Sequence, residues 1–379
     1  MARHLPCVGL AAAAAALAAA CAGPQATVTA GPELLVPLPA PSEPPPVPAS
    51  FTVVATGDVL VHPALTDQAL ADSATGEPDF GPLLAGVAPA VSAADLALCH
   101  LEVPLAEPAG PFAGYPSFDA PPQVADALAE TGYDSCTTAS NHTLDQGTDG
   151  VFRTLDALDA AGLEHTGSAR SASEAATPLL HDLGVARVAQ ISFTYGYNGL
   201  ELPDEAPWLA NTLDAGAVLD AAQAAKDAGA DVVVASLHWG EEYESEPTEE
   251  QTVLAEQLLA DPALDLVIGH HAHVAQPFEM INGEWVAYGL GNHVARHGEP
   301  RGTTEEGVLA RFTFARDAGG WRVQRAEYVP TLVQLGPPIR LLDLTAEPPS
   351  GRVVEALERT DDVVLSRGAG QAGLTRPKH

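Results

Sequence analysis

Basic residues are scarce in this sequence of 379 residues. It contains 17 lysines and arginines against 50 aspartates and glutamates, which gives a formal net charge of −33. Residues 51–300 hold 38 of the acidic residues and only 5 of the basic ones, together with 11 of the 13 histidines. This shortage argues against non-specific nucleic-acid binding, which needs basic patches, and against electrostatic docking on anionic lipid. Because 46% of the residues are hydrophobic, the acidic block indicates a folded domain and not a disordered acidic tail.

Long hydrophobic runs are also missing. The apolar stretch over residues 8–20 follows Arg3 and is too short for a comfortable transmembrane helix, so residues 1–21 are expected to be an export signal. Its small-residue run closes on Cys21 and resembles a bacterial lipobox, with Cys21 as the lipid anchor; ordinary signal cleavage is the alternative. Residues 22–50 contain nine prolines and are expected to form a semi-rigid linker. The expected location is therefore the extracellular face of the cell membrane through a lipid anchor, or secretion.

Only four cysteines are present. Two of them, Cys99 and Cys136, fall in the expected mature domain. Export permits a disulfide between them. Two buried strand thiols are an equally compatible alternative, because the sequence does not give their separation.

Short apolar runs alternate with Ala- and Leu-rich helical patterns. The strand-like runs are 51–56, 96–100, 135–139, 185–193, 232–237, 266–268 and 284–290. The helical patterns are 121–131, 147–161, 215–228 and 248–260. This alternation predicts a layered α/β fold with helices on both faces. No glycine-rich Walker loop, Gly-x-Ser-x-Gly elbow or internal repeat is visible.

The carboxyl-terminal part has a different pattern. Residues 307–314 and 321–328 flank a turn-rich stretch and predict a β-hairpin. Residues 353–360 predict a late helix. We therefore expect a single α/β domain over 51–345, followed by a C-terminal helix and loose tail over 346–379.

Polar side chains recur where the predicted strands end. They are Asp58, His62, Glu102, Asn141, His142, His238, His271, His273 and Asn292. Each alone would be an ordinary loop residue, but ligands collect at the strand ends of open α/β sheets, and chance explains this recurrence poorly. Carboxylate, amide and imidazole ligands suit Mn, Fe or Zn. They do not match a structural zinc site, which is rich in sulfur ligands. Their number predicts two divalent metal ions that share a carboxylate.

The ordered series resembles the calcineurin-like metallophosphoesterase pattern and, more closely, the CapA family, which is named for poly-γ-glutamate capsule biosynthesis. The motifs that carry the resemblance are GDVLVH at 57–62, LEVPL at 101–105, YPSFDAP at 115–121, SNHTLDQG at 140–147, FTYGYNG at 193–199, HWGEEY at 238–243, HAHVAQP at 271–277 and GLGN at 289–292. The resemblance spans about residues 51–300 and implies a metallophosphoesterase-like fold with four layers, α/β/β/α.

The resemblance also implies a role for each position. Asp58, His62 and His273 would hold one metal ion, and Asn141, His238 and His271 the second, with Glu102 bridging both. His142 would be the catalytic acid. The residues expected to contact substrate or to orient these ligands are His100, Asp145, Tyr195, Asn198 and Asn292. Asp145 would orient His142 or only stabilise the start of the next helix. Asp58 and His62 are four residues apart, where the wider phosphoesterase pattern has two.

We therefore expect an exported, CapA-like metal-dependent hydrolase or transferase of the cell envelope, acting in the synthesis, export or anchoring of a capsule-type polymer such as poly-γ-glutamate. Two alternatives stay open: a non-catalytic, metal-stabilised subunit of a membrane polymer-synthesis complex, and a generic secreted metallophosphodiesterase. The expected partners are an anionic envelope polymer or a phosphoester substrate, and membrane polymer-synthesis proteins. The only expected membrane contact is the lipid anchor, and no nucleic acid is expected.

Overall fold

A computed structural model of the chain describes Gly23 and residues 49–377. The predicted export signal, Cys21 and most of the predicted linker lie outside the described residues. All the helices and strands given below belong to one compact unit, Val47–His379. Within the described residues, no helix combines the length and the apolar character needed to cross a membrane.

The described chain alternates between strands and helices. The strands are β1 (Ser50–Leu60), β2 (Leu96–Leu101), β3 (Ser135–Thr137), β4 (Glu164–Thr166), β5 (Leu179–Asp182), β6 (Arg187–Thr194), β7 (Val232–His238), β8 (Leu266–His270), β9 (Phe278–Ile281), β10 (Glu284–Ala287), β11 (Asn292–Ala295), β12 (Glu306–Asp317), β13 (Gly320–Gln334), β14 (Arg340–Asp343) and β15 (Leu374–Thr375). The helices are α1 (Pro63–Asp72), α2 (Gly81–Leu84), α3 (Ala88–Val91), α4 (Gln123–Thr131), α5 (Gly147–Ala161), α6 (Ala172–Ala175), α7 (Ala215–Asp227), α8 (Glu249–Leu258), α9 (Gly351–Val364) and α10 (Ala369–Ala372).

The strands form two sheets. The first has the order β14-β13-β12-β1-β2-β3-β4, with β11 also paired to β1 and β15 to β13. The second has the order β5-β6-β7-β8-β10-β9. In the first sheet β1 to β4 are parallel, and in the second β6, β7, β8 and β10 are parallel. The carboxyl ends of the parallel strands within each sheet therefore lie on one side.

The two sheets pack face to face with helices outside them. Alternate residues of each strand point to opposite faces, so Phe51 and Val53 of β1 join the core between the sheets, where Val232 and Val234 of β7 meet them. Val54 points the other way, into the core beneath α1 to α5. The outer face of the second sheet is covered by α7 and α8. The predicted four-layer α/β/β/α fold is therefore confirmed.

Most of the elements expected from the sequence pattern are present. The four helical patterns correspond to α4, α5, α7 and α8, and the predicted hairpin is β12–β13. Helix α8 begins with the capping box of Thr248 and Gln251, in which each side chain bonds the other's backbone. Five short strands, β4, β5, β9, β11 and β14, were not predicted. Each has only three or four residues, and an apolar pattern of that length carries little signal.

The end of the chain differs from the expectation of a loose tail. Helix α9 packs on β13, where Val353 and Ala356 meet Leu332. Beyond it, β15 pairs in parallel with β13, and Leu374 is buried in the core between the sheets. The prediction of a loose tail is therefore wrong for residues 369–375, because an apolar side chain and a ladder of backbone hydrogen bonds hold them to the sheet.

Cys99 and Cys136 lie directly opposite each other in the adjacent parallel strands β2 and β3. The structure joins them by a disulfide, with 4.4 Å between their Cα atoms. Of the two alternatives that the sequence left open, the register of these strands supports the disulfide.

Candidate metal centre

The carboxyl ends of strands from both sheets meet at one site. Asp58 lies in β1, Glu102 directly follows β2, and Asn141 lies in the loop after β3. From the second sheet, His238 ends β7 and His270 ends β8. All five side chains are buried. Strand ends that are far apart along the chain therefore deliver oxygen and nitrogen ligands to one place.

Asp58 is positioned by an irregularity of β1. The strand pairs with β12 up to Thr56 and with β11 from Asp58. Its pairing with β2 shifts register between Ala55 and Asp58. At Gly57 the neighbouring strand comes so close that a Cβ atom would lie 1.9 Å from the carbonyl oxygen of Gly291. Only glycine fits there, and the next amide, that of Asp58, donates to the same carbonyl at 3.0 Å. Strand irregularities of this kind commonly re-aim side chains at functional sites.

The first cluster contains Asp58, Glu102 and His273, whose ligand atoms all lie within 4.8 Å of one another. His273 places Nδ1 3.1 Å from Asp58 Oδ2 and Nε2 3.7 Å from Glu102 Oε1. Although burial opposes it, the charge of Glu102 and the hydrogen bond to Asp58 raise the pKa of His273 to about 9. Against the effect of burial, hydrogen bonds from His270 and His273 hold the pKa of Asp58 well below its usual value. A proton on His273 thus supplies the positive charge that a bound cation would replace.

Glu102 provides the test of whether a metal fits this site. Both of its carboxylate oxygens are buried, and neither has a hydrogen-bond partner among the described residues. Burial raises the pKa of Glu102 well above its usual value. A buried carboxylate without partners is costly unless it is paired or coordinates a metal. The surrounding oxygen and imidazole donors are those that Mn, Fe or Zn prefer, so the residues fit the predicted metal.

The second cluster contains Asn141, His238 and His271. His238 Nε2 and Asn141 Oδ1 are 3.0 Å apart, and the rings of His238 and His271 are separated by 4.7 Å between centroids. Burial lowers the pKa of His271 to about 3, which leaves the neutral imidazole that a metal ligand requires. The loop after β8 has left-handed backbone at His271 and His273, with φ of 89° and 55°. Such strain in non-glycine residues persists where the surroundings hold it, typically at functional sites.

Two predicted neighbours orient these ligands. His100 places Nε2 3.0 Å from His238 Nδ1 and Nδ1 2.8 Å from the Thr137 hydroxyl. This contact leaves His238 Nε2 facing Asn141. Asn292 places its carbonyl oxygen 3.0 Å from His273 Nδ1, which leaves Nε2 of that ring toward Glu102. Metal-binding histidines typically engage their second ring nitrogen in this way.

His142 stands at the edge of the centre and contacts Asp145. Its Nδ1 lies 2.7 Å from Asp145 Oδ2, and the same carboxylate oxygen accepts from the Phe118 amide at 2.7 Å. The side-chain nitrogen of Asn198 lies 3.3 Å from His142 Nδ1. The side-chain oxygen of Asn198 accepts a hydrogen bond from the side-chain nitrogen of Asn141 at 3.2 Å. Of the two alternatives for Asp145, the contact supports orientation of the imidazole.

Two predicted residues lie at the margin. His62 is outside the carboxylate–imidazole clusters formed by the described residues, because four residues beyond Asp58 the chain has already reached the N-cap of α1. Its Nδ1 lies 3.1 Å from the Leu60 carbonyl, so the structure does not support His62 as a ligand. Tyr195 is half exposed, and its ring lies 4.7 Å from that of His271, at the mouth of the site.

His270 was expected from the sequence to be at most a neighbour that orients the metal ligands. Its buried ring stacks on that of His100 at 3.9 Å between centroids, and its Nδ1 lies 3.3 Å from Asp58 Oδ1. The run of three histidines within four residues was visible, but a strand pattern does not reveal which of them faces a carboxylate on the other sheet.

Glu242 was also missed. Its carboxylate shares a 4.8 Å cluster with His271 and His273, although its side chain is exposed. The available signal was its place in the HWGEEY motif, four residues after His238. That motif contains two adjacent glutamates, and only the backbone turn decides which one faces the centre.

Comparisons with known proteins identify a family and relatives of this chain. Residues 52–297 match the model of the family described as bacterial capsule synthesis protein PGA_cap. The capsule biosynthesis protein CapA of Bacillus anthracis is 29% identical over 215 residues, which cover 56% of this chain and 51% of that protein. The PGA biosynthesis protein CapA of Bacillus subtilis is 28% identical over 195 residues, which cover 51% of this chain and 50% of that protein. The chain thus spans about half the length of the curated relatives it matches. The solved structure of the calcineurin-like phosphoesterase YfkN from Bacillus subtilis covers 83% of this chain and 98% of its own, with a TM-score of 0.46 and 15% identity.

Proposed function

The chain belongs to the bacterial capsule synthesis protein family PGA_cap, and we propose that it is an exported metal-dependent hydrolase or transferase that acts on an anionic polymer of the cell envelope. The observation that carries the proposal is the buried Glu102 carboxylate, which has no hydrogen-bond partner of its own and lies in a cluster with Asp58 and His273. A purely structural role would not require the His142–Asp145 pair beside it.

The ligand set divides into two metal positions. Asp58, Glu102 and His273 would hold one divalent cation, and Asn141, His238 and His271 would hold the other together with Glu102. When bound, two such cations supply Lewis acidity at a phosphoryl or carbonyl oxygen and a lowered pKa for water. The 4.8 Å cluster supports the first position, and the contacts of His238 with Asn141 and His271 support the second. His62 is the one predicted ligand that this division leaves out.

The chain's own residues supply the proton transfer. Asp145 holds Nδ1 of His142 at 2.7 Å, so Nε2 is the nitrogen left to donate a proton to the leaving group. The Phe118 ring meets His142 edge-on at 4.8 Å between centroids and restricts its movement. Asn198 contacts both His142 and Asn141, which couples the position of the acid to that of a metal ligand.

The substrate class follows from the family. The Bacillus relatives are named for capsule and PGA biosynthesis, and we extend this to a role of this chain in the synthesis, export or anchoring of such a polymer. The predicted export signal and lipid anchor at Cys21 would place the domain where that polymer is found. Membrane polymer-synthesis proteins are the partners proposed with it.

The test is turnover by the full chain loaded with Mn²⁺, Zn²⁺ or Fe²⁺, with a phosphodiester and with poly-γ-glutamate as substrates. We expect His142→Ala to reduce metal-dependent turnover by about 10²- to 10⁴-fold with metal content and melting temperature unchanged. His165→Ala is the matched control, because that histidine pairs with Asp159 away from the centre. If His142→Ala keeps full function while His238→Ala loses metal and fold, the protein is a non-catalytic, metal-stabilised subunit. Turnover of the phosphodiester alone would instead indicate a generic phosphodiesterase.

A further inference from the structure

A cavity of about 530 Å³ adjoins the metal centre. His142 and His273 form part of its wall, so the cavity is continuous with both the proposed acid and a metal ligand. The segment that follows β11 contributes two arginines to the lining, Arg296 and Arg301. The mechanism proposed above uses neither of them.

These arginines are unusual in this chain. Arg296 is one of only 5 basic residues among the 250 of positions 51–300, where 38 residues are acidic. Several other arginines form ion pairs with carboxylates, as Arg170 and Arg340 do. Within the described part of the chain, no carboxylate lies within ion-pair distance of Arg296 or Arg301. Positive charge without a protein counter-ion, next to a catalytic centre in an acidic domain, indicates an anionic ligand.

Both guanidinium groups are held in place by other contacts. The Arg301 guanidinium lies over the Tyr243 ring at 3.9 Å from its centroid, and Tyr243 itself has left-handed backbone with φ of 68°. The Arg296 guanidinium donates to the His297 carbonyl. Stacking on a ring leaves the N–H edge of a guanidinium available. Its planar fork then matches a carboxylate or phosphate with little further ordering.

Two carboxylates also line the cavity, and their positions limit where an anion can bind. Glu242 lies on the metal side, in the cluster with His271 and His273. Glu299 is exposed at the rim. An anionic group would therefore bind beside the arginines, away from Glu242, with the bond to be broken extending toward the metal centre.

We propose that this cavity is a subsite for a carboxylate or phosphate group that the substrate carries next to its reacting bond, with Arg296 and Arg301 as the hydrogen-bond donors. The assignment of the reacting bond to the metal centre rests on the proposed function, whereas anion binding at the two arginines is independent of turnover. The subsite also explains how a domain with a net charge of −33 can engage an anionic polymer: the polymer meets two basic side chains at the one place where it must bind.

The experiment is calorimetric titration of the metal-loaded full chain in the His142→Ala background, so that no probe is consumed. The probes are a short γ-linked glutamate oligomer and a short poly(glycerol phosphate). We expect Arg301→Gln and Arg296→Gln each to weaken binding of at least one probe about tenfold or more. Arg301→Lys keeps the positive charge but loses the planar guanidinium. Its affinity for the probe should lie between that of Arg301→Gln and that of the protein with Arg301 intact. Arg316→Gln is the matched control, because Arg316 is exposed and lies outside the lining of the cavity.

If the arginine variants lose affinity only for the glutamate oligomer, the ligand group is a carboxylate. If they lose affinity only for the phosphate polymer, it is a phosphate. The proposal is overturned if both probes bind all folded variants as they bind the Arg316→Gln control. Turnover assays with His142 restored separate this result from the proposed function. If the wild type turns over substrate and probe binding does not depend on the arginines, only the subsite proposal is rejected. If binding depends on the arginines but no turnover is found, only the proposed catalytic function is rejected.

Discussion

Glu102→Gln is expected to stabilise the metal-free protein and to destabilise the metal-loaded one. In the absence of metal, both Glu102 oxygens are buried without partners, and burial raises the pKa of this carboxyl well above its ordinary value of 4.5. The folded state therefore carries a charge that only His273, with Nε2 at 3.7 Å, partly offsets, or it must bind a proton to remove the charge. Glutamine has nearly the same shape and no charge, so it removes the cost of burying a charge, although its amide group remains buried.

The magnitude follows from the burial of the group. An unsatisfied buried group costs about 1–3 kcal/mol when it is neutral and more when it is charged. Because the glutamine amide keeps the neutral part of this cost, we expect the unfolding free energy of Glu102→Gln in EDTA to exceed that of the wild type by about 1 kcal/mol or more. The sign of the pH dependence is also defined. A carboxyl whose pKa is raised on folding loses stability as pH rises above its unfolded pKa, so the advantage of glutamine should grow with pH above the ordinary value of 4.5.

With metal present the order reverses. At a metal concentration a thousand times the wild-type Kd, binding contributes about 4 kcal/mol to stability. Each tenfold loss of affinity removes about 1.4 kcal/mol of this contribution. Because Glu102 is the proposed ligand of both cations, its replacement should reduce affinity at both positions. The variant should therefore be the less stable protein under these conditions.

The assay is urea unfolding followed by tryptophan fluorescence, in EDTA and in excess Mn²⁺ or Zn²⁺. Trp239 and Trp285 are each only 2% exposed and report global unfolding. The control is Glu306→Gln, since Glu306 is equally buried but contacts Arg352 and Arg359; it should lose stability with and without metal. The reasoning is refuted if Glu102→Gln is less stable than the wild type in EDTA. It is also refuted if the variant gains as much stability from metal as the wild type does.

Two further predictions concern buried histidines near the centre. His100→Phe should weaken metal affinity about 10- to 100-fold, because His238 loses the ring that orients it; an unchanged Kd in a metal titration would contradict this. Burial lowers the pKa of His293 to about 3 from its ordinary value of 6.5. Between these pH values the unfolded chain binds a proton that the folded one does not, so acidification destabilises the fold by about 1.4 kcal/mol per pH unit. His293→Gln should reduce the slope of unfolding free energy against pH by about this amount. The slope is measured from urea unfolding at several pH values. Equal slopes for the variant and the wild type would count against the prediction.

The strand ends were the most informative part of the sequence. Asp58, Glu102 and His238 could be placed at the carboxyl ends of strands, where ligands collect in parallel sheets, although His238 lies on the second sheet and the other two on the first. The helices α5 and α8 could be located from periodicity and from the capping box at Thr248. These inferences depend on local pattern and on a general property of parallel sheets, so they need no knowledge of which strand neighbours which.

Other features depend on contacts between distant segments. His270 contacts Asp58 only because the two sheets meet at this edge, and no spacing along the chain encodes that distance. His62 is excluded from the clusters because α1 begins there and turns the chain away. The short strand β15 exists only through its pairing with β13, so an apolar pattern of two residues could not reveal it.

The sequence by itself determined the family, the order of α and β elements, the acidic character of the domain and the residue types of a metal centre, because all of these are properties of composition and of motifs in order. The tertiary structure alone decided the disulfide between Cys99 and Cys136, the histidine contacts that orient the metal ligands and the position of Arg296 and Arg301 beside the centre. Each of these requires two segments far apart in sequence to come within a few ångströms, which depends on strand register, sheet packing and loop direction.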